Sequence, residues 1–231
     1  ESEFISADEQ SILKNELSIL ITNIETSHTK SIANSAATIF QKKRREEILD
    51  DSYRKLSTWY DKLGDEWVNN NIEIENVNAW GLNPSFDKIV KLILNNGYSL
   101  AGTSDILNSS IGRGNKELFN LALQAKSEIN GPESNEKSFR TPLACYPRMT
   151  SNRSREDNEQ LYEYMLEQLL SAGADINKFH SSKSSYVHLS ALSGNQHQLE
   201  KLLQNGAHAL NSWEENEKTY TTVEVLKENK K

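Results

Sequence analysis

The residue types best suited to chemistry in this sequence are its single cysteine and its five histidines. A thiolate beside an imidazole can act as a nucleophile with its base. Cys145 and His188 lie near the start of two similar segments and are the candidates for such a pair. In the register of those segments, however, Cys145 takes the place of Leu189, an apolar position that we expect to be buried. A buried thiol is unreactive, so we predict structural roles for Cys145 and His188.

The remaining candidates for a catalytic or metal site are weaker. His28, His180, His197 and His208 lack the spacing of metal ligands, and one cysteine can form neither an intramolecular disulfide nor a cysteine cluster. The run Gly112–Lys116 resembles a phosphate-binding loop, but it fits a turn between two helices better. The sequence has no His-Glu-x-x-His or Gly-x-Ser-x-Gly motif. We therefore expect no enzyme activity, no metal and no cofactor.

The charge of the chain restricts the partners that it can bind. The 231 residues carry a formal net charge of -7, with 36% hydrophobic and 26% charged residues. Nucleic acid and anionic membrane surfaces require a cationic footprint, so a basic or neutral protein surface fits better. No stretch reaches the ~20 apolar residues of a membrane span. We expect a chain that is monomeric alone and does not insert into a membrane.

The first part of the chain has the pattern of long helices. Residues 1–63 contain neither glycine nor proline, the two residues that most often interrupt helices. Two apolar stripes with helical spacing predict core positions. They are Ile12, Leu13, Leu17, Leu20, Ile21 and Ile24, and then Leu49, Tyr53, Leu56, Tyr60, Leu63 and Trp67. In the charge run Lys42–Glu47 between them, acidic residues adjoin the basic ones and the whole chain is acidic, which is typical of a solvated helix face.

From Pro84 onward the chain repeats itself with a period of about 33 residues, the length of a helix-loop-helix unit that stacks on its neighbours. The clearest copy is Ser185–Asn211, and the copy before it begins at Thr141 and ends at Asn177. Weaker copies cover Gly114–Asn130 and Phe86–Gly97. Residues 221–226 have the pattern of a final first helix.

These copies resemble the ankyrin repeat. His188 stands at the histidine of the family's Thr-Pro-Leu-His tetrapeptide, which the preceding copy begins as Thr141-Pro-Leu143. Gly194 matches the glycine between the two helices, and Gly206 matches the closing glycine. The resemblance implies an all-α fold, an ankyrin-repeat solenoid of about four to five degenerate repeats with an N-terminal helical subdomain.

The domain organisation follows from this register. Residues 1–83 form the N-terminal helical region, which caps or extends the stack, and residues 84–231 form the repeats. The repeats divide into 84–102 (partial), 103–131, 139–178 with an inserted polar loop at 147–160, 183–212, and a C-terminal cap at 219–231.

The second helix of each repeat is expected to end in a left-handed residue. Glycine is favoured there because it has no Cβ and adopts this conformation without a steric penalty. Gly97, Gly173 and Gly206 occupy this place. Lys126 occupies it in the second repeat, which predicts a cost of ~1 kcal/mol and an altered turn.

The resemblance implies binding through fingers between repeats and through the concave face of the inner helices. Phe179 and Trp213 each follow a repeat-ending asparagine by two residues, and aromatic residues and arginines carry much of the energy of interfaces. The predicted partner-binding residues are Phe139, Arg140, Tyr146, Arg148, Lys178, Phe179, His180 and Trp213. The alternative is that the aromatic residues pack against a neighbouring finger.

The predicted function is protein binding. The chain is similar in outline to ankyrin-type bacterial immunity proteins, because it has degenerate repeats, an asparagine-rich composition and an appended helical region. Such proteins neutralise a cognate toxin, including type VI secretion phospholipase or lipase effectors. The alternatives are an ankyrin effector or adaptor that binds host or endogenous proteins, and an enzyme in residues 1–83. If the chain is an immunity protein whose signal peptide has been removed, we expect it in the bacterial periplasm. If it is not, we expect it in the cytoplasm.

Overall fold

Ten helices and one hairpin make up the part of the chain that the computed structural model describes, namely residues 7–32, 39–130, 141–148, 153–178, 185–208, 212–215 and 218–221. The chain divides into two compact units, residues 1–98 and residues 99–231. This division reflects compactness, whereas the predicted boundary after residue 83 reflects repeat register and stays a prediction.

The first compact unit consists of helices α1 to α5 with one 3-10 turn. The elements are α1 (Ala7–Ile32), α2 (Ile39–Leu63), α3 (Asp65–Asn70), α4 (Ile74–Gly81), the 3-10 turn (Pro84–Phe86) and α5 (Asp87–Asn95). Asn83 begins the turn, since its side chain accepts a hydrogen bond from the Ser85 amide and a proline follows it.

In its described residues, the second compact unit contains two complete helix pairs and one incomplete pair between them. The elements are α6 (Asp105–Arg113), α7 (Lys116–Gln124), a 3-10 turn (Pro142–Ala144), α8 (Arg155–Ser171), α9 (Tyr186–Leu192), α10 (Gln196–Gln204), β1 (Ser212–Glu215) and β2 (Lys218–Thr221). The two strands are antiparallel, with Trp213 opposite Tyr220.

The predicted all-α class is confirmed in outline, because helices dominate the described residues. The hairpin β1–β2 lies where the predicted fingers between repeats place Trp213, although its two strands were not predicted. Thr221 lies in β2 instead of beginning a helix, and residues 222–226, the rest of that predicted helix, lie outside the described part. The prediction from the repeat register did not take strand propensity into account. This propensity is high at Thr219, Tyr220 and Thr221.

The N-terminal stripes are partly correct. Leu17 and Leu20 of α1 are buried, as are Leu56 and Tyr60 of α2. Ile12, which the first stripe places in the core, is instead 59% exposed. The described side chains of the charge run, residues 43–47, are exposed apart from half-buried Arg45.

The predicted inserted loop at 147–160 is shorter than expected, because α8 already begins at Arg155. Ser154 and Asp157 form a capping box: the Ser154 hydroxyl accepts from the Asp157 amide, and the Asp157 carboxylate accepts from the Ser154 amide. Asn158, part of the predicted loop, is 1% exposed. A polar segment was mistaken for a loop although it carries the start signal of a helix.

The ends of the second helices share one backbone geometry. Gly97, Gly173 and Gly206 are left-handed as predicted, with φ of 78°, 95° and 91°. Lys126 is also left-handed, with φ of 62°, so the turn is not altered as predicted. The Lys126 amide donates to Leu123 O at 3.1 Å and the Ser127 amide donates to Ala122 O at 3.1 Å, as in the glycine turns.

Lys126→Gly should therefore raise the free energy of unfolding by about 0.5–1 kcal/mol. A left-handed non-glycine residue costs about 1–2 kcal/mol, and the added freedom of glycine in the unfolded chain offsets part of the gain. Urea denaturation measures the change.

Gly173→Ala is the matched control for that substitution. A Cβ at Gly173 has no atom within 4 Å, so only the left-handed backbone opposes it, and the variant should lose about 1 kcal/mol. A Lys126→Gly protein that is less stable than the wild type would contradict this account of the turn.

Candidate protein-binding surface

Two asparagines join successive helix pairs of the second compact unit. The Asn130 side chain donates from Nδ2 to Gly173 O at 3.2 Å and accepts at Oδ1 from the Asp175 amide at 2.8 Å. Its partners lie in the turn that ends α8. One amide side chain therefore satisfies a carbonyl and an amide that would otherwise lack helical partners.

Asn177 repeats this arrangement one helix pair later. It donates to Gly206 O at 3.3 Å and accepts from the His208 amide at 2.8 Å. Asn130 and Asn177 each come four residues after the left-handed residue of their own turn. The spacing between successive turns is thus fixed by the same two hydrogen bonds twice.

Arg153 connects the end of α6 to the start of α8, next to the incomplete helix pair. The half-buried Arg153 guanidinium donates to the carbonyls of Arg113 and Gly114 at the end of α6, at 3.4 and 3.1 Å. It also donates to the Asn158 side chain at 3.1 Å. A positive charge at a helix C-terminus is favourable because the carbonyls there carry partial negative charge. Arg153 therefore ties α6 to the start of α8.

The incomplete pair has one 3-10 turn in place of a first helix. After Ala144 the chain is extended, with φ/ψ of -84°/148° at Cys145. Its backbone is held from three sides: Gln198 donates to Cys145 O at 3.4 Å, Asn158 donates to Pro147 O at 2.8 Å, and the Arg148 amide donates to Gly112 O at 3.0 Å. The segment 145–148 is therefore a fixed strand-like connection.

Tyr146 from this segment enters an aromatic cluster with α8 and α10. Its ring lies 4.7 Å from the Tyr162 ring and 6.2 Å from the His197 ring, between centroids. Its hydroxyl is 3.2 Å from His197 Nδ1, and His197 Nε2 is 3.1 Å from Glu163 Oε1. Lys201 Nζ is 2.9 Å from the same Glu163 oxygen.

A carboxylate, an imidazole and a hydroxyl in a row form the catalytic triad of serine hydrolases, in which the imidazole takes the hydroxyl proton and the carboxylate orients the imidazole. Here the hydroxyl is a phenol. Burial, and to a smaller extent the charge of Glu159, raise the pKa of Tyr146, which disfavours the phenolate that could act as a nucleophile. A neutral imidazole with its proton on Nε2 can donate to Glu163 and accept from Tyr146. The arrangement thus joins α8, α10 and the segment 145–148, and this is a structural role.

The structure describes only part of the predicted partner-binding set. Tyr146 is half-buried in the cluster above, and Arg148 is exposed. Lys178 is half-buried, with its amide donating to Asp175 O at 3.2 Å. Trp213 lies in β1, where only its backbone is described. Phe139, Arg140, Phe179 and His180 lie outside the described residues, so their roles stay predictions.

The two residues considered for nucleophilic chemistry have different surroundings. His188 is 4% exposed, in accord with a structural role. Cys145 was expected to be buried, but it is half-buried, with its Sγ 3.7 Å from Thr141 O. Leu189, at the matching position on the full helix α9, is also half-buried, so the expectation of full burial at this position was wrong for both residues.

The described residues form neither a metal site nor a membrane span. No group of three or more histidine, cysteine or acidic residues in the described portion could hold a metal ion. None of the described helices is long and apolar enough to cross a membrane.

Sequence reasoning missed the residues that join the helix pairs. Asn130 and Asn177 could have been found from their constant spacing of four residues after the left-handed position. Arg153 and Asn158 carried no such signal, because their partners lie about 40 residues and 11 residues away in the chain.

No protein-family model matches the chain, and no curated protein matches it in sequence. The resemblance to ankyrin repeats therefore rests on the quoted residues alone and stays a prediction.

Arg153→Ala should lower the free energy of unfolding by about 1–3 kcal/mol, because it leaves the carbonyls of α6 and the Asn158 side chain without their donor. Arg155→Ala is the matched control: Arg155 is 80% exposed and pairs only across one helical turn with Glu159, so little change is expected. Urea denaturation compares the two.

Gly114→Ala tests the same contact from the other side. A Cβ there would collide with the Arg153 guanidinium, and φ is 65°. The substitution should cost less in an Arg153→Ala background than in the wild type. Equal costs in both backgrounds would mean that Arg153 does not lie against Gly114.

Glu163→Gln should show a pH-dependent loss of stability. Hydrogen bonds from Lys201 and then His197 hold the pKa of Glu163 below its usual 4.5. The carboxylate therefore stabilises the fold above about pH 4.5 and loses this effect as the pH falls through the lowered pKa. Since the side chain is 45% exposed, the loss at pH 7 should be under about 1 kcal/mol.

Urea denaturation at pH 7 and at pH 3 measures this difference, which should shrink at the lower pH. Glu167→Gln, one turn further along α8, is the control for removing an exposed carboxylate. A deficit of Glu163→Gln that stays the same at both pH values would contradict the ion-pair assignment.

Proposed function

We propose that this chain is a protein-binding module built on a degenerate ankyrin-repeat scaffold. The observation that supports this most is the pair of asparagine bridges, which holds successive turns at Gly173 and Gly206 in the same geometry. Regularly spaced turns present the segments that follow them as a row. A preformed row of segments can bind a partner with little loss of conformational freedom.

A more specific proposal is an immunity protein that binds and neutralises a cognate bacterial toxin, such as a type VI secretion phospholipase or lipase. Degenerate repeats and an appended helical region motivate it. The net charge of -7 favours a toxin with a basic or neutral surface around its active site, which the bound chain would cover.

The alternative function is an effector or adaptor that binds host or endogenous proteins through the same surface. Purifying the tagged full-length chain from its native cells and identifying the bound protein by mass spectrometry tests both. The immunity proposal expects a partner that stops growth when it is expressed alone and is harmless when co-expressed with this chain. A partner with no toxicity supports the adaptor, and no stable partner contradicts protein binding.

The predicted fingers are tested with the purified partner. Phe179→Ala combined with Trp213→Ala should weaken the complex at least about tenfold, since truncating aromatic anchors commonly costs more than 1 kcal/mol each. Thermal unfolding should stay nearly unchanged. Phe179→Trp with Trp213→Phe is the control, because it preserves aromatic area and should retain binding in titration calorimetry. Undiminished affinity of the double alanine variant would refute the finger assignment.

A further inference from the structure

The dipeptide Asn-Gly occurs three times in the chain, beginning at Asn96, Asn130 and Asn205. This dipeptide loses its side-chain amide spontaneously more readily than others, because glycine has no Cβ to shield its backbone nitrogen from the asparagine side chain. Two of the three copies end a second helix, at the left-handed turns of Gly97 and Gly206. The third copy continues into residues outside the described part. The same reactive pair therefore lies in the same kind of turn twice.

The reaction joins two groups that are neighbours in the sequence. The glycine backbone nitrogen attacks the asparagine Cγ. An N–Cγ bond replaces the Cγ–Nδ2 bond, and the proton lost by the glycine nitrogen leaves with the ammonia. Water then opens the resulting succinimide at either carbonyl, which gives aspartate or an isoaspartate whose main chain runs through the former side chain. Water is the only co-reactant.

Both turns restrain the reacting groups in the same way. The side chains of Asn96 and Asn205 donate from Nδ2 to the carbonyls four residues earlier, at 2.7 and 2.8 Å. The amides of Gly97 and Gly206 each donate to the carbonyl three residues earlier, at 3.1 Å. The ψ angles of the two asparagines are also similar, at 29° and 13°. Each turn must open before its glycine nitrogen can attack, because the attack breaks these hydrogen bonds.

The turn at Asn96 is held further by side chains from outside its own helix. Asn69 donates to the Asn96 carbonyl at 2.8 Å, and the Tyr60 hydroxyl donates to the Asn69 side chain at 2.8 Å. The buried Tyr98 hydroxyl, just after the turn, donates to the Ile72 carbonyl at 2.9 Å. Opening this turn therefore breaks several additional hydrogen bonds that are shielded from water.

The turn at Asn205 is held less firmly. Both Asn205 and Gly206 are exposed, and among the described residues no side chain donates to the Asn205 carbonyl. Asn177 donates to Gly206 O at 3.3 Å and accepts from the His208 amide at 2.8 Å. Both of these bonds are on the surface and lie beyond the peptide bond that reacts. An exposed turn with few restraints opens at low free-energy cost.

We propose that Asn205 is a site of spontaneous deamidation and isomerisation, whereas Asn96, in the same dipeptide and the same turn, is protected by Asn69. This modification site is independent of the proposed binding function. It follows from the difference in the restraints on two chemically identical pairs.

The modification weakens the junction between the last two helix pairs. An aspartate in place of Asn205 cannot donate to the Lys201 carbonyl, and its charge lies at the negative end of α10. An isoaspartate adds one atom to the main chain before Gly206, which displaces the Gly206 carbonyl from Asn177. Either product loses hydrogen bonds that fix the turn.

The test is incubation of the full-length chain at pH 8 and physiological temperature in isotopically labelled water, followed by peptide mapping with mass spectrometry. Asn205 should be modified at least about tenfold faster than Asn96, since each additional hydrogen bond lowers the open population about two- to tenfold. In the urea-unfolded chain the two rates should be similar, because the dipeptides are identical. Equal rates in the folded chain, or faster modification of Asn96, would overturn the proposal.

Two substitutions test the protection directly. Asn69→Ala should raise the rate at Asn96 about two- to tenfold and leave the rate at Asn205 unchanged. Tyr60→Phe removes only the hydroxyl that holds Asn69 and should act in the same direction. Asn71→Ala removes a side chain bonded back to α3 and is the matched control, with no change at either site. Circular dichroism confirms folding. A rate at Asn96 that neither Asn69→Ala nor Tyr60→Phe changes would refute the protective role.

The consequence is measured on the separated product. Ion exchange isolates the modified chain, because it carries an additional negative charge. Its urea midpoint, and that of Asn205→Asp, should be lower than the midpoint of the wild type. Asn205→Gln keeps an amide but does not readily form the five-membered ring, so it should remain unmodified at this position. A modified chain as stable as the wild type would contradict the weakened junction.

Discussion

The turn that ends each second helix is the constraint on which the rest of the second compact unit depends. A helix leaves its last carbonyls without partners, and the left-handed residue turns the chain so that following amides reach them. The turn leaves the carbonyl of Gly173 or Gly206 facing the preceding helix pair, where Asn130 or Asn177 meets it. The same side chain also accepts a hydrogen bond from a following amide. Two directional hydrogen bonds therefore fix the distance and the orientation between successive helix pairs. Apolar packing alone is non-directional and would fix neither.

The third helix pair shows what happens when one element of this scheme is missing. Without a full first helix, the described part of the third pair places no helix beside the C-terminal end of α6, and buried polar groups there need other partners. Arg153 and Asn158 provide them, and Asn158 also holds Pro147 O of the extended connection. Tyr146 then fills the space between α8 and α10. The described part of the incomplete pair is therefore held by side-chain hydrogen bonds, and its irregular connection is part of the scaffold.

The sequence predicted those features that depend on local chemistry. Glycine at a left-handed position is a local requirement, so the ends of the second helices at Gly173 and Gly206 could be read directly from the sequence. Lys126 shows the limit of this logic: the surrounding hydrogen bonds impose the left-handed conformation on a residue that disfavours it. The longer helix α8 and the exposed side chain of Ile12 were missed, since both depend on which face of an element finds a neighbour. The contacts of Arg153 could not be inferred, because no local sequence feature indicates that a guanidinium will donate to a carbonyl 39 residues away.

The division between residues that hold the scaffold and residues that remain available bears on binding. Tyr146 was grouped with the binding residues because tyrosine is common at interfaces, yet its hydroxyl and ring are engaged by His197 and Tyr162. Removing it from the cluster to contact a partner would expose apolar surface and break a hydrogen bond, so its direct use would oppose binding. Arg148 differs, since its backbone is anchored to α6 while its side chain projects into solvent. An anchored backbone with an available side chain loses little entropy when a partner binds. Residues with a held backbone and an exposed side chain, such as Arg148, are therefore the better candidates for recognition. The contacts within the scaffold determine which residues have these two properties.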